Sequence, residues 1–172
     1  MLAILIPGLI IVALMVWAST RIKRMAAAAF EAETIETDDF VIQKPDGFLN
    51  NLNGDPMYAL ETYSKEFGAD ATNIRQGRVR LKVTEDAKIG QIIAGFEDEG
   101  NEIVDDVTEV IGATKYRLID AKRDENGHDV CVTYKIGQKD SRVFMLEAIR
   151  LAETSDEFTR KIEAFSDSFE LK

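Results

Sequence analysis

His128–Leu151 reads HDVCVTYKIGQKDSRVFMLEAIRL, two runs of alternating apolar and polar side chains separated by a polar break. Successive strand residues point to opposite faces. Val130, Val132, Tyr134 and Ile136 therefore share one face of the first run, with Cys131, Thr133 and Lys135 on the other. Gly137 to Asp140 is expected to turn the chain. In the second run Phe144, Leu146 and Ala148 alternate with Val143, Met145 and Ile149, so both faces of that strand should be covered. Upstream, Ala113–Arg123 leads into Asp124-Glu125-Asn126-Gly127, whose Asn-Gly pair suits the positive φ values of a tight hairpin. A three-stranded antiparallel meander follows.

Working outward, Val79, Leu81 and Val83 alternate with Arg80 and Lys82 in a half-buried strand. Met57–Ser64 has strand character as well, and Phe40 and Ile42 mark a strand that breaks at Pro45-Asp46-Gly47. Asp86–Glu99 changes period: Ile89, Ile92, Ile93 and Phe96 recur at three and four, as in an amphipathic helix. In Asn101–Ile111 the spacing of Ile103, Val104, Val107, Val110 and Ile111 favours a helix over 101–106, while its β-branched residues suit a strand equally. Ser155 to about Ser168 is a helix with Phe158, Ile162 and Phe165 on one face, extended by Phe169. Thr154 and Glu157 form a candidate capping box at its start.

At the front, Leu2–Ala18 is LAILIPGLIIVALMVWA, without a charged side chain. Such a run is expected to form a single transmembrane helix over residues 1–20, with lipid contacted through residues 2–18. Trp17 falls where an interfacial aromatic would, and Arg21, Lys23 and Arg24 follow at once. These cations set the expected orientation: a bacterial inner membrane protein with its domain in the cytoplasm, a periplasmic domain being the alternative. A secretory signal peptide competes through the small residues Ala26–Ala29. Against it stand the lack of a basic region before the apolar run and the three cations between run and alanines. Residues 21–37 are read as a basic juxtamembrane segment and helical spacer, since Ala26 to Glu36 holds no Gly or Pro.

The expected fold class is α+β: the N-terminal span, then one antiparallel sheet domain over residues 38–172 flanked by helices, with the last helix packed on the sheet. The net charge is −10. All 31 acids follow residue 25, whereas three of the 21 bases precede it, leaving 18 bases against 31 acids, about −13. So acidic a body repels polyanions, and no nucleic-acid partner is expected. The single cysteine, Cys131, forbids an internal disulfide.

Catalytic chemistry has little to build on. The sole histidine, His128, and Cys131 are separated by an odd number on a strand, which turns their side chains to opposite faces. Zinc lacks ligands. The acids Glu97, Asp98, Glu99, Glu102, Asp105 and Asp106 lack the register of a calcium loop, as do Asp124, Asn126 and Asp129. Gly90, Gly95 and Gly100 have no strand-turn context for phosphate. No catalytic, metal or cofactor residue is assigned.

The early KPDGF (44–48), the late VFMLEAIR (143–150) and the terminal SDEFTRKIEAFSDSFELK (155–172) together resemble the PsbP-like fold over roughly Phe40 to Lys172. The resemblance implies an antiparallel sheet flanked by helices in a non-enzymatic domain that binds or stabilises a larger complex. It carries no functional residue across, and the apolar front departs from the soluble founding members. The expected function is thus a non-catalytic accessory domain associated with a membrane protein complex. The alternative is a hydrolase or ligand-binding enzyme using acidic residues in a cleft of the sheet.

Overall fold

The computed structural model describes residues 2–68, 74–96 and 98–172, with side chains from residue 10 onward. Ten strands and three helices are defined among them. In chain order these are α1 (Leu2–Ala28), β1 (Glu33–Glu36), β2 (Phe40–Lys44), β3 (Phe48–Asn50), β4 (Tyr58–Ser64), β5 (Gly77–Glu85), α2 (Ile89–Ala94), β6 (Glu102–Ile111), β7 (Thr114–Glu125), β8 (His128–Lys139), β9 (Arg142–Leu151), α3 (Asp156–Asp167) and β10 (Glu170–Leu171).

Two sheets form where one was expected. Seven strands run β3-β4-β5-β9-β8-β7-β6, and β1-β2-β10 makes a smaller one. Every strand pair is antiparallel. The large sheet starts from its hairpins. Asn126 (φ 58°) and Gly127 (φ 83°) supply the turn between β7 and β8, where Glu125 pairs with His128. The next turn is Asp140–Ser141, with Asp140 at φ 55° and Lys139 opposite Arg142. Gly137 therefore lies inside β8 rather than in a turn. A Cβ there would sit 2.7 Å from Leu171 and 2.8 Å from the Tyr116 ring, so glycine leaves room for both.

Each face of the large sheet has its own core. On one, α3 and the small sheet bring Phe40, Ile42, Phe158, Ile162, Phe165 and Phe169 onto Phe48, Val79, Leu81, Phe144 and Leu146. On the other, Phe96 and the flanking isoleucines of α2 cover Ile119, Val132, Tyr134, Ile136 and Ile149. Burial of apolar area on both sides is the main force holding the layers. α3 begins on Ser155, whose hydroxyl accepts the Phe158 amide, while Thr154 bonds the Thr159 hydroxyl instead of closing a capping box.

Three further expectations are corrected. The helical spacer to Glu36 is absent: α1 stops at Ala28 and Glu33–Glu36 pairs with β2. Residues 102–111 form a strand, not a helix over 101–106, because β7 offers a partner along its whole length. The transmembrane span over residues 1–20 is overturned, since among the described residues no helix is long and apolar enough to cross a membrane. Met1 and the side chains of residues 2–9 lie outside the description. The single-pass assignment and the inner-membrane location with a cytoplasmic domain rested on that span and fall with it.

Candidate functional site

α3 does not cover its face of the large sheet evenly. It seats closely on β5, where a Cβ on Gly77 would lie 2.7 Å from the Phe158 ring. Toward β7 and β8 it stands off, leaving a cleft of about 210 Å³ edged by Val104, Asp120, Lys122, Thr133, Arg150 and Glu163. The Thr133 hydroxyl donates to Asp120 at 2.6 Å. Small-molecule pockets commonly enclose about 300–1,000 Å³, so this cleft is small, and its charges are of both signs.

Beyond the cleft lies β6, the outermost strand, exposed along nearly all of its ten residues. A register shift between Ile103 and Asp105 extrudes Val104 as a bulge on the cleft side. Asp105, Val107 and Glu109 stand opposite Asp120, Leu118 and Tyr116, and so share the α3 side of the sheet. Asp106, Thr108 and Val110 take the other side. Val104 is 58% exposed, Val107 46% and Val110 66%. Placing Asp105 directly across from Asp120 is unfavourable, because opposed like charges destabilise a pair of strands.

The opposite face carries a closed ion network. Glu147, 7% exposed at its side chain, binds Arg80 and, at 3.0 Å, Arg123. Arg123 reaches Glu125 at 3.3 Å, and Glu125 binds Arg78 at 2.8 Å. The Tyr134 hydroxyl donates to Asn101 at 3.0 Å and accepts from Arg123 at 3.1 Å, its ring stacked on Phe96. Burial opposes charge on Arg123, yet Glu147, Tyr134 and Glu125 outweigh it and hold the guanidinium above its ordinary range. Burial also disfavours the Glu125 carboxylate, but Arg78 and Arg123 outweigh it and draw that pKa down. The Tyr134 phenol is pushed well up, first by burial and then by Glu147. These groups are paired with one another, as a structural network requires.

Two buried lysines serve the backbone. Lys135, 1% exposed, donates to the Asp167 carbonyl at 2.9 Å and to Ser166 at 3.5 Å. It thereby caps the C-terminal end of α3, where the helix dipole favours a cation. Lys44, 2% exposed, donates to the carbonyls of Glu31 (2.6 Å), Phe48 (2.9 Å) and Ala29 (3.4 Å), fastening the end of the α1 segment to the domain. Burial lowers the pKa of both.

The residues singled out from sequence lie elsewhere. Trp17, Arg21, Lys23 and Arg24 are all exposed on α1, with the Arg21 guanidinium 5.3 Å from the Trp17 ring centre. The large apolar side chains from Ile10 to Trp17 are each more than half exposed, for example Met15 at 67%. His128 and Cys131 are half-buried on β8, with opposite facing set by strand geometry. In the acidic run Glu97 lies outside the described residues, and strand alternation sends Asp105 and Asp106 to opposite faces. Among the described residues no group of three His, Cys, Asp or Glu side chains is placed to hold a metal. Sequence periodicity did not reveal β6 as an edge, nor Lys44 and Lys135 as buried. The one available clue to Lys135 was its place in the strand next to the one expected to be covered on both faces.

The chain matches no protein-family model and no curated protein sequence. Solved structures do match its fold. The solution structure of cyanobacterial PsbP (CyanoP) from Synechocystis sp. PCC 6803 is 9% identical, covering 83% of this chain and 92% of that one with a TM-score of 0.54. LpqN, involved in cell envelope biogenesis of Mycobacterium tuberculosis, is 13% identical, covering 83% and 91% with a TM-score of 0.57. The chain is similar to both in its PsbP-like fold.

Proposed function

We propose that the protein is a non-catalytic accessory domain that works by docking another macromolecule on the open β6–β7 side of its sheet. One observation carries this: a ten-residue edge strand with three exposed valines, on a domain whose sheet is otherwise covered on both faces. Exposed edges and apolar patches of this kind are interaction surfaces or hazards, and chains that keep them generally use them. The strongly perturbed ionisable groups support the same reading, because they serve ion pairs and helix capping rather than converging on the cleft. The two proteins of similar fold, a cyanobacterial PsbP and a protein involved in cell envelope biogenesis, support an accessory role.

The test is a photo-crosslinking side chain placed at Val107 in the full chain, with the same group at Leu52, 92% exposed and far along the chain, as control. In the source cells the account predicts a discrete adduct from position 107 and none from position 52. Equal, diffuse labelling from both positions would contradict it.

A further inference from the structure

The outer edge of β6 has no strand partner among the described residues, so its outward amides and carbonyls are free to pair, apart from the Asp106 amide, which donates to Asp105 Oδ1 at 2.9 Å and leaves Oδ2 of that carboxylate for a partner. What would pair there is decided by the side chains. β6 carries four acids, Glu102, Asp105, Asp106 and Glu109, and no base. Asp106 is already neutralised by Arg117, whose Nη2 donates to it at 2.6 Å. Glu102 stands across from Lys122. Asp105 instead faces the carboxylate of Asp120, which the Thr133 hydroxyl alone bonds among the described side chains. Glu109 faces Tyr116, and the nearby Lys135 is committed to the carbonyls at the end of α3. Two carboxylates thus flank Val107 at two-residue spacing, on one side of the sheet and at its open edge.

We propose that β6 accepts an extended basic peptide as an added strand, with basic side chains opposite Asp105 and Glu109 and an apolar one opposite Val107. This rests on the reading of the β6–β7 side as a docking surface and names its partner class. Main-chain bonds would supply affinity and the alternating side chains specificity, as in other strand additions. The basic–apolar–basic pattern is symmetric, so it holds for either strand direction. A second copy of this chain fits poorly. An antiparallel β6–β6 pair centred on Val107 would set Asp105 against Glu109 twice, and opposed like charges are unfavourable. The net charge of −10 adds long-range repulsion between copies and attraction for a basic partner.

Fluorescence anisotropy on the full chain tests this with a labelled peptide containing Lys-Thr-Val-Thr-Lys, its Glu-Thr-Val-Thr-Glu counterpart, and a Lys version methylated on the backbone nitrogens. The Lys peptide should bind about tenfold more tightly than the Glu peptide, the sum expected of two exposed ion pairs. The advantage should shrink with salt and in the Asp105→Asn, Glu109→Gln double variant, and methylation should abolish binding. Equal affinity for the two charge versions, unchanged binding of the methylated peptide, or no saturation below about 1 mM would each overturn the proposal. So would a β6-mediated dimer that excludes the peptide. If the Val107 crosslink forms while the Lys peptide fails, the basic-peptide assignment falls and the docking surface stands. If the crosslink also fails, both fall.

Discussion

The inner and outer halves of the large sheet are built from the same alternating strands, yet they end in opposite states. Over β5 and β9 the sheet is sealed. Phe48 meets Phe158 and Phe165 at ring-centre distances of 5.9 and 5.4 Å, and Gly77 lets α3 approach until no side chain would fit between. Over β6 the same face lies open, with valines and carboxylates where the inner half has phenylalanines. The difference shows that alternation makes a strand, whereas the reach of one helix decides which part becomes core and which remains available.

Changes on the two halves should separate stability from binding. Phe165→Ala removes a ring that is 1% exposed, and loss of a buried phenylalanine costs about 3–5 kcal/mol. Chemical denaturation should show that loss with little change in the exchange of β6 amides. Gly77→Ala forces a Cβ into the Phe158 ring. Such overpacking costs about 1–3 kcal/mol and should widen the cleft by lifting α3, readable in a crystal structure of the variant.

Acid sharpens the comparison through one carboxylate in each region. The hydrogen bond from Arg142 holds Asp39, at the start of β2, below its ordinary 3.8, and the hydrogen bond from Arg117 does the same for Asp106 on β6. A depressed folded pKa means the unfolded chain binds the proton more readily, so stability rises with pH through this window. Both contributions are complete above about pH 4 and are lost as pH falls through the folded values. Thermal melts between pH 5 and 2 should show the loss, and Asp106→Asn should flatten part of the slope. Smallest in stability is Val107→Ser, expected within about 0.5 kcal/mol of wild type as a surface change. Its effect should appear instead as a weakened crosslink from a neighbouring probe at Val104.

Much of this division was legible in the chain. The Asn126-Gly127 hairpin, the alternation of β5, β8 and β9, and the apolar face of α3 depend on local chemistry, and their positions followed from it. β6 was ambiguous for a physical reason. Its bulge at Val104 puts Val104 and Val107 on one side of the sheet, so a strand acquired the three-residue spacing of a helix. Glu33–Glu36 reads as helix by composition, and long-range pairing with β2 overrides that preference. α2 is only six residues, ending at the Gly95 C-cap, and the apolar period of 86–99 runs on past it into the turn that places Phe96. The polar network joins residues far apart in sequence, Arg80 to Glu147 among them, and local spacing carries no trace of it.

Residue-resolved amide exchange on the full chain, free and with the macromolecule recovered through Val107, addresses the open edge directly. The outward amides of β6 should exchange far faster than those of β5 and β9 in the free chain, then slow on binding while the α2 face is unchanged. Protection of β6 already equal to that of β9 in the free monomer, or protection on binding confined to the α2 face, would contradict the account.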